Sequence, residues 1–260
     1  MPSNSYFSVL SGIACALLSI SSSAHAQEQM SPEWKACVSG APPDRIRGCT
    51  KLMQPGLNRD ALSDLLQRRG IAYLESGDRT RAFQDFDEAI RIKPDDESFA
   101  TRGRAYRLEH DLHRAINDLD HAVRINAGNS FALSQRARAY RELGDGAKAA
   151  RDFDESLRLN PLDNYTRYNR ATFRAERGET AFALQDFDAI IKRMNELLLK
   201  RPNAPLFLFL RGLAKQGKGD AAGGAADIAA AKAGEPNVAD NFWRLGRLTI
   251  ISRQPLCALS

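Results

Sequence analysis

The chain has 260 residues, 43% of them hydrophobic and 27% charged, which is too apolar for general disorder and ordinary for a folded protein. The 37 Lys and Arg against 32 Asp and Glu leave a net charge of +5, spread too thinly to imply a nucleic-acid ligand. Gly and Pro fall at intervals, as punctuation between elements rather than as a biased tract.

The first element is a leader. Residues 1–27 hold no Asp, Glu, Lys or Arg, and an apolar run from Phe7 to Ile20 is followed by Ser21-Ser22-Ser23 and Ala24-His25-Ala26. That order predicts a signal peptide over 1–26, cleaved after Ala26, and hence a periplasmic or secreted chain. An uncleaved anchor, a lipoprotein signal ending at Cys15 and simple disorder remain as alternatives; the run is shorter than the ~20 residues a spanning helix needs.

Residues 27–62 read as an N-terminal capping segment, with one or two short helices between Pro32 and Gln54. Its two cysteines, Cys37 and Cys49, read as a disulfide in an oxidising compartment, and as two buried thiols otherwise. Zinc is disfavoured, because no His or further Cys lies near them in sequence. Trp34, Ile46, Leu52 and Met53 are expected to cover the apolar end of the helices that begin at residue 63. Cys257 is left over as a free thiol or an intermolecular bridge.

From residue 63 the chain repeats itself. Arg81-Ala82-Phe83-Gln84-Asp85-Phe86-Asp87 returns as Arg114-Ala115-Ile116-Asn117-Asp118-Leu119-Asp120, then around Asp152-Phe153-Asp154 and Asp186-Phe187-Asp188. The alanines at 82, 115, 149 and 183 are 33, 34 and 34 residues apart. Counting from Ser63, Asp96, Ser130 and Asn164, small residues recur at position 8 (Gly70, Gly103, Ala137, Ala171) and tyrosine at position 11 (Tyr73, Tyr106, Tyr140). Phe or Leu recurs at position 24, and Pro94 and Pro161 stand at position 32. Gly77, Gly144 and Gly178 mark position 15, where the chain turns between two helices. A degenerate fifth copy runs from Pro205, with Gly212, Gly219, Gly224 and Pro236. The step from Ala183 to Gly224 is 41, so 7 residues are inserted near Asn195 to Arg201 and predict one lengthened helix from Thr180 to Lys200. Asp240 to Ile251 reads as a last, unpaired first helix.

This pattern resembles the tetratricopeptide repeat. The resemblance implies an all-α fold: a right-handed α-solenoid of helix–turn–helix repeats with N- and C-terminal capping helices. It places four repeats over 63–196, the inserted turn, degenerate repeat and capping helix over 197–251, and a tail over 252–260. It also implies a non-catalytic scaffold that binds a protein or peptide.

Paired aspartates such as Asp152/Asp154 could suggest acid–base chemistry or Ca²⁺, but residues two apart on a helix point about 200° apart. Position 7 is Arg in every repeat (Arg69, Arg102, Arg136, Arg170, Arg211) and position 23 is Asp in every repeat (Asp85, Asp118, Asp152, Asp186, Asp227). These are expected to pair across packed helices and fix repeat register. His110, His113 and His121 could suggest a metal, but His110 takes a turn position, and no metal site, cofactor or catalytic residue is predicted.

In the resembled family the first helices line a concave groove. Mapping its groove positions gives Arg104, Arg107, Phe131, Arg138, Arg141, Tyr165 and Tyr168 as the partner-binding residues, a basic strip with aromatics beside it. Arginine forks suit carboxylates and tyrosine supplies large, low-entropy contact area, so an acidic peptide segment is the expected partner. Two other readings are open: an architectural subunit or self-association through an apolar Phe242-Trp243 edge, and a binder of anionic glycan or lipid headgroups.

Overall fold

The computed structural model describes residues 31–245, the side chains of 243–245 excepted. The expected leader over 1–26, Cys257 with the tail over 252–260, the far end of the 240–251 helix and the Trp243 side chain lie outside the described residues. The described secondary structure is helical throughout, α1 to α13 in chain order, and none of these helices is long and apolar enough to cross a membrane. The chain divides into two compact units, up to Asp85 and from Phe86.

The first unit holds α1 (Pro32–Ser39), α2 (Pro42–Leu52), α3 (Arg59–Glu75) and the opening turns of α4 (Arg79–Ile92). Proline in the first turn starts both α1 and α2, where its missing N–H costs nothing. Asn58 caps α3, accepting the Ala61 N–H at 2.8 Å. The Cys37–Cys49 disulfide joins α1 to α2 across 12 residues of sequence and is buried with Leu65, behind Trp34, Leu52, Met53 and Leu57. Ile46 is only half-buried and does not belong to that cluster. The neighbouring Arg45 is the buried residue instead, its charge satisfied by Glu75 at 2.5 Å.

The second unit stacks antiparallel helix pairs: α5 (Asp96–Leu108) with α6 (Leu112–Ile125), α7 (Ser130–Leu143) with α8 (Gly146–Leu159), α9 (Asn164–Glu176) with α10 (Thr180–Lys200), and α11 (Pro205–Gly217) with α12 (Ala221–Gly234). The short α13 (Val238–Leu245) packs on α11 and α12. Most of the helices start on a capping side chain; α10, after Glu179, and α11, after Ala204, do not. Asp95, Asn129 and Asp163 cap the first helices, and Asp111, Asp145 and Asp220 cap the second ones. The turn residue before the second cap is left-handed, at Gly144, Gly178 and Gly219, and also at His110, with φ 59°. His110 therefore occupies the turn, and His121 stacks on Phe99 with ring centroids 5.1 Å apart.

Small residues decide how closely the helices approach. A Cβ on Gly103 would lie 2.8 Å from Leu119 Cγ, and one on Gly212 would lie 2.8 Å from the Gly224 carbonyl oxygen. Ala115, Ala122, Ala137, Ala149 and Ala171 have no exposed surface. Phe153, Phe187 and Leu119 fill the space between the helices.

The recurring Arg and Asp form a fork. Arg69 donates to both Asp85 oxygens at 2.7–2.8 Å, and the 16-residue span recurs in Arg102–Asp118, Arg136–Asp152, Arg170–Asp186 and Arg211–Asp227. In the second unit the remaining guanidinium nitrogen reaches back to the preceding repeat. Arg102 Nη1 donates to Asp87 at 2.6 Å, Arg136 Nη1 to Asp120 at 2.7 Å and Arg170 Nη1 to Asp154 at 2.7 Å. Both members of each aspartate pair are therefore engaged, one within its repeat and one by the next.

Tyrosine at position 11 lies beside this fork. The Arg136 and Lys148 cations stand 5.9 and 5.1 Å from the Tyr140 ring centroid, and Arg102 and Arg114 flank Tyr106 at 5.8 and 4.7 Å. Where the sequence departs from tyrosine, the replacement is a second cation on the fork's aspartate. Arg174 Nη1 reaches Asp186 at 3.0 Å, and Lys215 Nζ reaches Asp227 at 2.9 Å.

The fork accounts for the length of the insertion. Helix α10 is continuous over its 21 residues, and seven extra residues advance a helix by two turns less about 20°. The next first helix thus meets the same face two turns further on. Arg211 Nη1, which by the unbroken pattern would bridge to Asp188, donates instead to Asn195 Oδ1 at 2.8 Å, while Asp188 is taken by Lys218. Asn195 is a neutral substitute for a carboxylate. Asn195→Asp is expected to raise thermal stability by about 0.5–1 kcal/mol, because a charged acceptor strengthens a half-exposed bridge. A lowered melting temperature for Asn195→Asp would show that Arg211 does not recognise position 195 as its cross-repeat acceptor.

Candidate functional site

The first helices α5, α7 and α9 pack against one another as well as against their own partners. Positions facing away from the second helices therefore form one continuous side-chain surface. The predicted residues come together there, but not as a free basic strip. Arg107 on α5 is 4% exposed and donates to Glu142 on α7 at 2.6 Å. Arg141 on α7 is held by Glu176 on α9, through Nε at 2.9 Å and a second bond from Nη2, and its Nη1 reaches Thr172 at 3.3 Å. Each of these arginines is matched by a glutamate 35 residues later in the next repeat. Arg104 is buried, with 4% exposure.

Arg138 differs. Its Nη1 donates to the Tyr165 hydroxyl at 2.9 Å, its guanidinium lies 5.5 Å from the Tyr165 ring centroid, and among the described residues no carboxylate reaches ion-pair distance of it. Desolvation, then the repulsion of Arg107, pushes its pKa down to about 10, against the weaker pull of Tyr165 and Glu142. Arg107 adds to the imbalance, since its Nε and Nη2 are buried with no hydrogen-bond partner among the described residues. Positive charge is thus matched at the α7–α9 end by Glu176 and left in excess around Arg107 and Arg138.

The aromatic residues line the same face and continue it towards the C-terminal end of the second unit. Phe131 is half-buried against the α5–α6 alanines and Leu119. Tyr165 and Tyr168 pack on Phe242 with centroids 5.6 and 6.4 Å apart, and Phe209 joins them at 5.5 Å from Phe242. Phe242 is therefore 4% exposed and belongs to the core of the last repeats. This corrects the Phe242 half of the expected Phe242-Trp243 edge, the Trp243 side chain lying outside the described residues: α13 folds its phenylalanine inward because Tyr165, Tyr168 and Phe209 offer it an aromatic socket. Among the clefts that flank the lengthened α10, two are notable for their lining. One, of about 870 Å³, lies along Asp188, Lys192, Asn195, Leu199 and Arg211. The other, of about 380 Å³, lies between α9, α10, α11 and Phe242. The cross-repeat glutamate partners are not evident in the sequence because their 35-residue spacing is no helical period. The signal that points to them is the Arg at position 12 followed by Glu at position 13 of the next repeat.

Comparison with known proteins agrees with this architecture. Residues 63–96 and 130–163 each match a family model described as tetratricopeptide repeat. No curated protein sequence matches the chain. Among solved structures, a tetratricopeptide repeat protein from Parabacteroides merdae is similar at 18% identity and TM-score 0.50, over 86% of this chain and 90% of that one. Yeast Tom70 aligns at 19% identity and TM-score 0.56 over 80% of this chain and 42% of its own. Cut9, in a structure of the APC/C Cut9–Hcn1 hetero-tetramer, aligns at 15% identity and TM-score 0.55 over 81% of this chain and 41% of that one. At these identities the likeness concerns the fold alone. The two matched repeats, joined to three more that carry the same arginine–aspartate fork, make the chain a tetratricopeptide-repeat protein and a protein–protein interaction scaffold.

Proposed function

We propose that the chain is an exported interaction module, periplasmic or secreted, whose first-helix groove holds an acidic peptide segment of a partner protein. The observation that carries this reading is Arg138. It is a half-buried guanidinium with a tyrosine hydroxyl for company and no carboxylate in the described residues, beside an Arg107 whose Nε and Nη2 are buried without acceptors. Desolvated charge of this kind costs stability unless an anion completes it. Arg107 and Arg141 act with Arg138 by presenting charge whose glutamate partners can be shared or exchanged, and Phe131, Tyr165 and Tyr168 give apolar contact beside it. Export is supported by the leader-like first 26 residues and by the Cys37–Cys49 disulfide. Anionic glycans or lipid headgroups would meet the same guanidinium and form the competing reading. The architectural reading loses the Phe242 edge, but it retains the exposed Leu199 on the inserted turns.

Arg138 stays protonated in the unfolded chain to a higher pH than in the folded one, so below about pH 10 its burial penalty counts in full against folding. Arg138→Gln is therefore expected to leave stability unchanged or raise it by on the order of 1 kcal/mol at neutral pH, discounted for partial exposure. Arg107→Gln, which strands Glu142, is expected to lower it; urea unfolding of both variants checks the contrast. A second expected outcome concerns the partner. The oxidised protein, used to capture ligands from an envelope extract, is expected to retain a protein that Arg138→Gln loses and that 0.5 M salt (roughly a 4–5 Å screening length) releases. Equal retention by both proteins would remove the arginines from the site.

A further inference from the structure

The cleft of about 380 Å³ has an apolar wall of Tyr165, Met194, Leu206, Phe207, Leu210 and Phe242 and a polar rim of Asn160, Asp163 and Asn164, where the Asp163 carboxylate is already engaged by the Tyr165 and Thr166 N–H groups and the Thr166 hydroxyl. Its size lies at the small end of the range for ligand sites, about 300–1,000 Å³. Three of its walls come from departures from the regular repeat. Met194, 2% exposed, sits on the part of α10 that leads into the inserted turns. Phe207 and Leu206 belong to the apolar opening of α11, and Phe242 comes from the terminal helix α13. The recess thus lies where α9 and α11 flank the lengthened α10, on the helix whose inserted turns carry the Arg211 bridge from Asp188 to Asn195.

The recess is coupled to the excess charge through one residue. Tyr165 lines it with its ring, and the hydroxyl of that ring accepts from Arg138 Nη1 at 2.9 Å. A ligand group in the recess therefore lies one tyrosine ring away from the guanidinium that has no carboxylate among the described residues. The rings of Tyr165, Phe207 and Phe242 favour an aromatic occupant, which gains edge-to-face contacts beyond its buried area. The charge favours an anion joined to it by a short link.

We propose that this recess is an anchor site for an aromatic side chain adjacent to a carboxylate, the aromatic group packing between Tyr165, Phe207 and Phe242 and the carboxylate completing Arg138. The proposal rests on the groove reading above and names the chemistry of the partner segment it would hold: acidic, with an aromatic residue beside the charge.

The test uses small probes that carry only the proposed chemistry. 4-Phenylbutyrate has the ring and the carboxylate, and 4-phenylbutyramide has the ring alone. Binding is read from the ε-methyl carbon and proton resonance of Met194 in the oxidised protein, assigned with Met194→Leu, with Met53 in the first unit as the internal control. The expected result is a saturable shift of Met194 and not of Met53, about tenfold tighter for the carboxylate than for the amide. That preference is expected to fall to near unity in Arg138→Gln. No saturable Met194 shift at millimolar probe would overturn the recess as a site, and equal affinity for acid and amide would overturn its coupling to Arg138. If either occurs while the captured partner of the preceding experiment still depends on Arg138, the anchor falls and the groove reading stands. Loss of Arg138 dependence in both experiments removes the groove reading as well.

Discussion

The arginine–aspartate fork is the interaction on which the second unit's geometry depends. One planar guanidinium has to meet two carboxylate oxygens on the second helix of its own repeat and an acceptor on the second helix of the repeat before. A lysine, a single point charge on a flexible stem, could not hold both geometries at once. The paired carboxylates are nearly buried, at 3–11% exposure for Asp118, Asp152, Asp186 and Asp227, so each charge has few alternatives to its partner. Such pairs contribute little net stability after desolvation, and their value lies in specificity: any other rotation or slip between helices strands a charge. Apolar burial between alanine faces and Phe153 or Phe187 supplies the driving force, and the fork selects one arrangement from the many that greasy helices allow.

This division of labour explains departures from regularity. A seven-residue insertion is tolerated because two helical turns return nearly the same face to the next repeat, where Asn195 stands in for Asp188. Repeats that lack tyrosine at position 11 put Arg174 or Lys215 there and attach it to the same aspartate. On the first-helix face this matching of charges stops at one place. Arg107 and Arg141 find glutamates in the next repeat, but Arg138 faces a tyrosine. A register system built on paired charges leaves this guanidinium without a carboxylate among the described residues.

Much of the fold is legible in the amino-acid order because repetition makes small effects visible. Gly103 is glycine since a Cβ would strike Leu119, and Gly144, Gly178 and Gly219 are glycines since the turn is left-handed; each has its counterpart one period away. The fork is legible for the same reason, as Arg at position 7 and Asp at position 23 five times over. What is hidden depends on a third dimension that no period encodes. The glutamate partners of Arg107 and Arg141 sit 35 residues downstream, Arg45 rather than Ile46 takes the buried place in the capping segment, and Phe242 turns inward to meet Tyr165, Tyr168 and Phe209. Residue type alone suggests an exposed basic strip and an exposed apolar edge. The actual neighbours neutralise part of the first and bury the described part of the second.

The claim that the fork sets the packing of the repeats is tested most directly by a double-mutant cycle at Arg136 and Asp152, with Arg136→Met and Asp152→Leu measured singly and together by urea unfolding of the oxidised protein. The account predicts a coupling of about 2 kcal/mol, since each single change leaves a nearly buried polar group unmatched and the pair of changes does not. Additive effects, with coupling near zero, would mean that the two side chains are merely adjacent and that apolar packing alone holds the repeats in register.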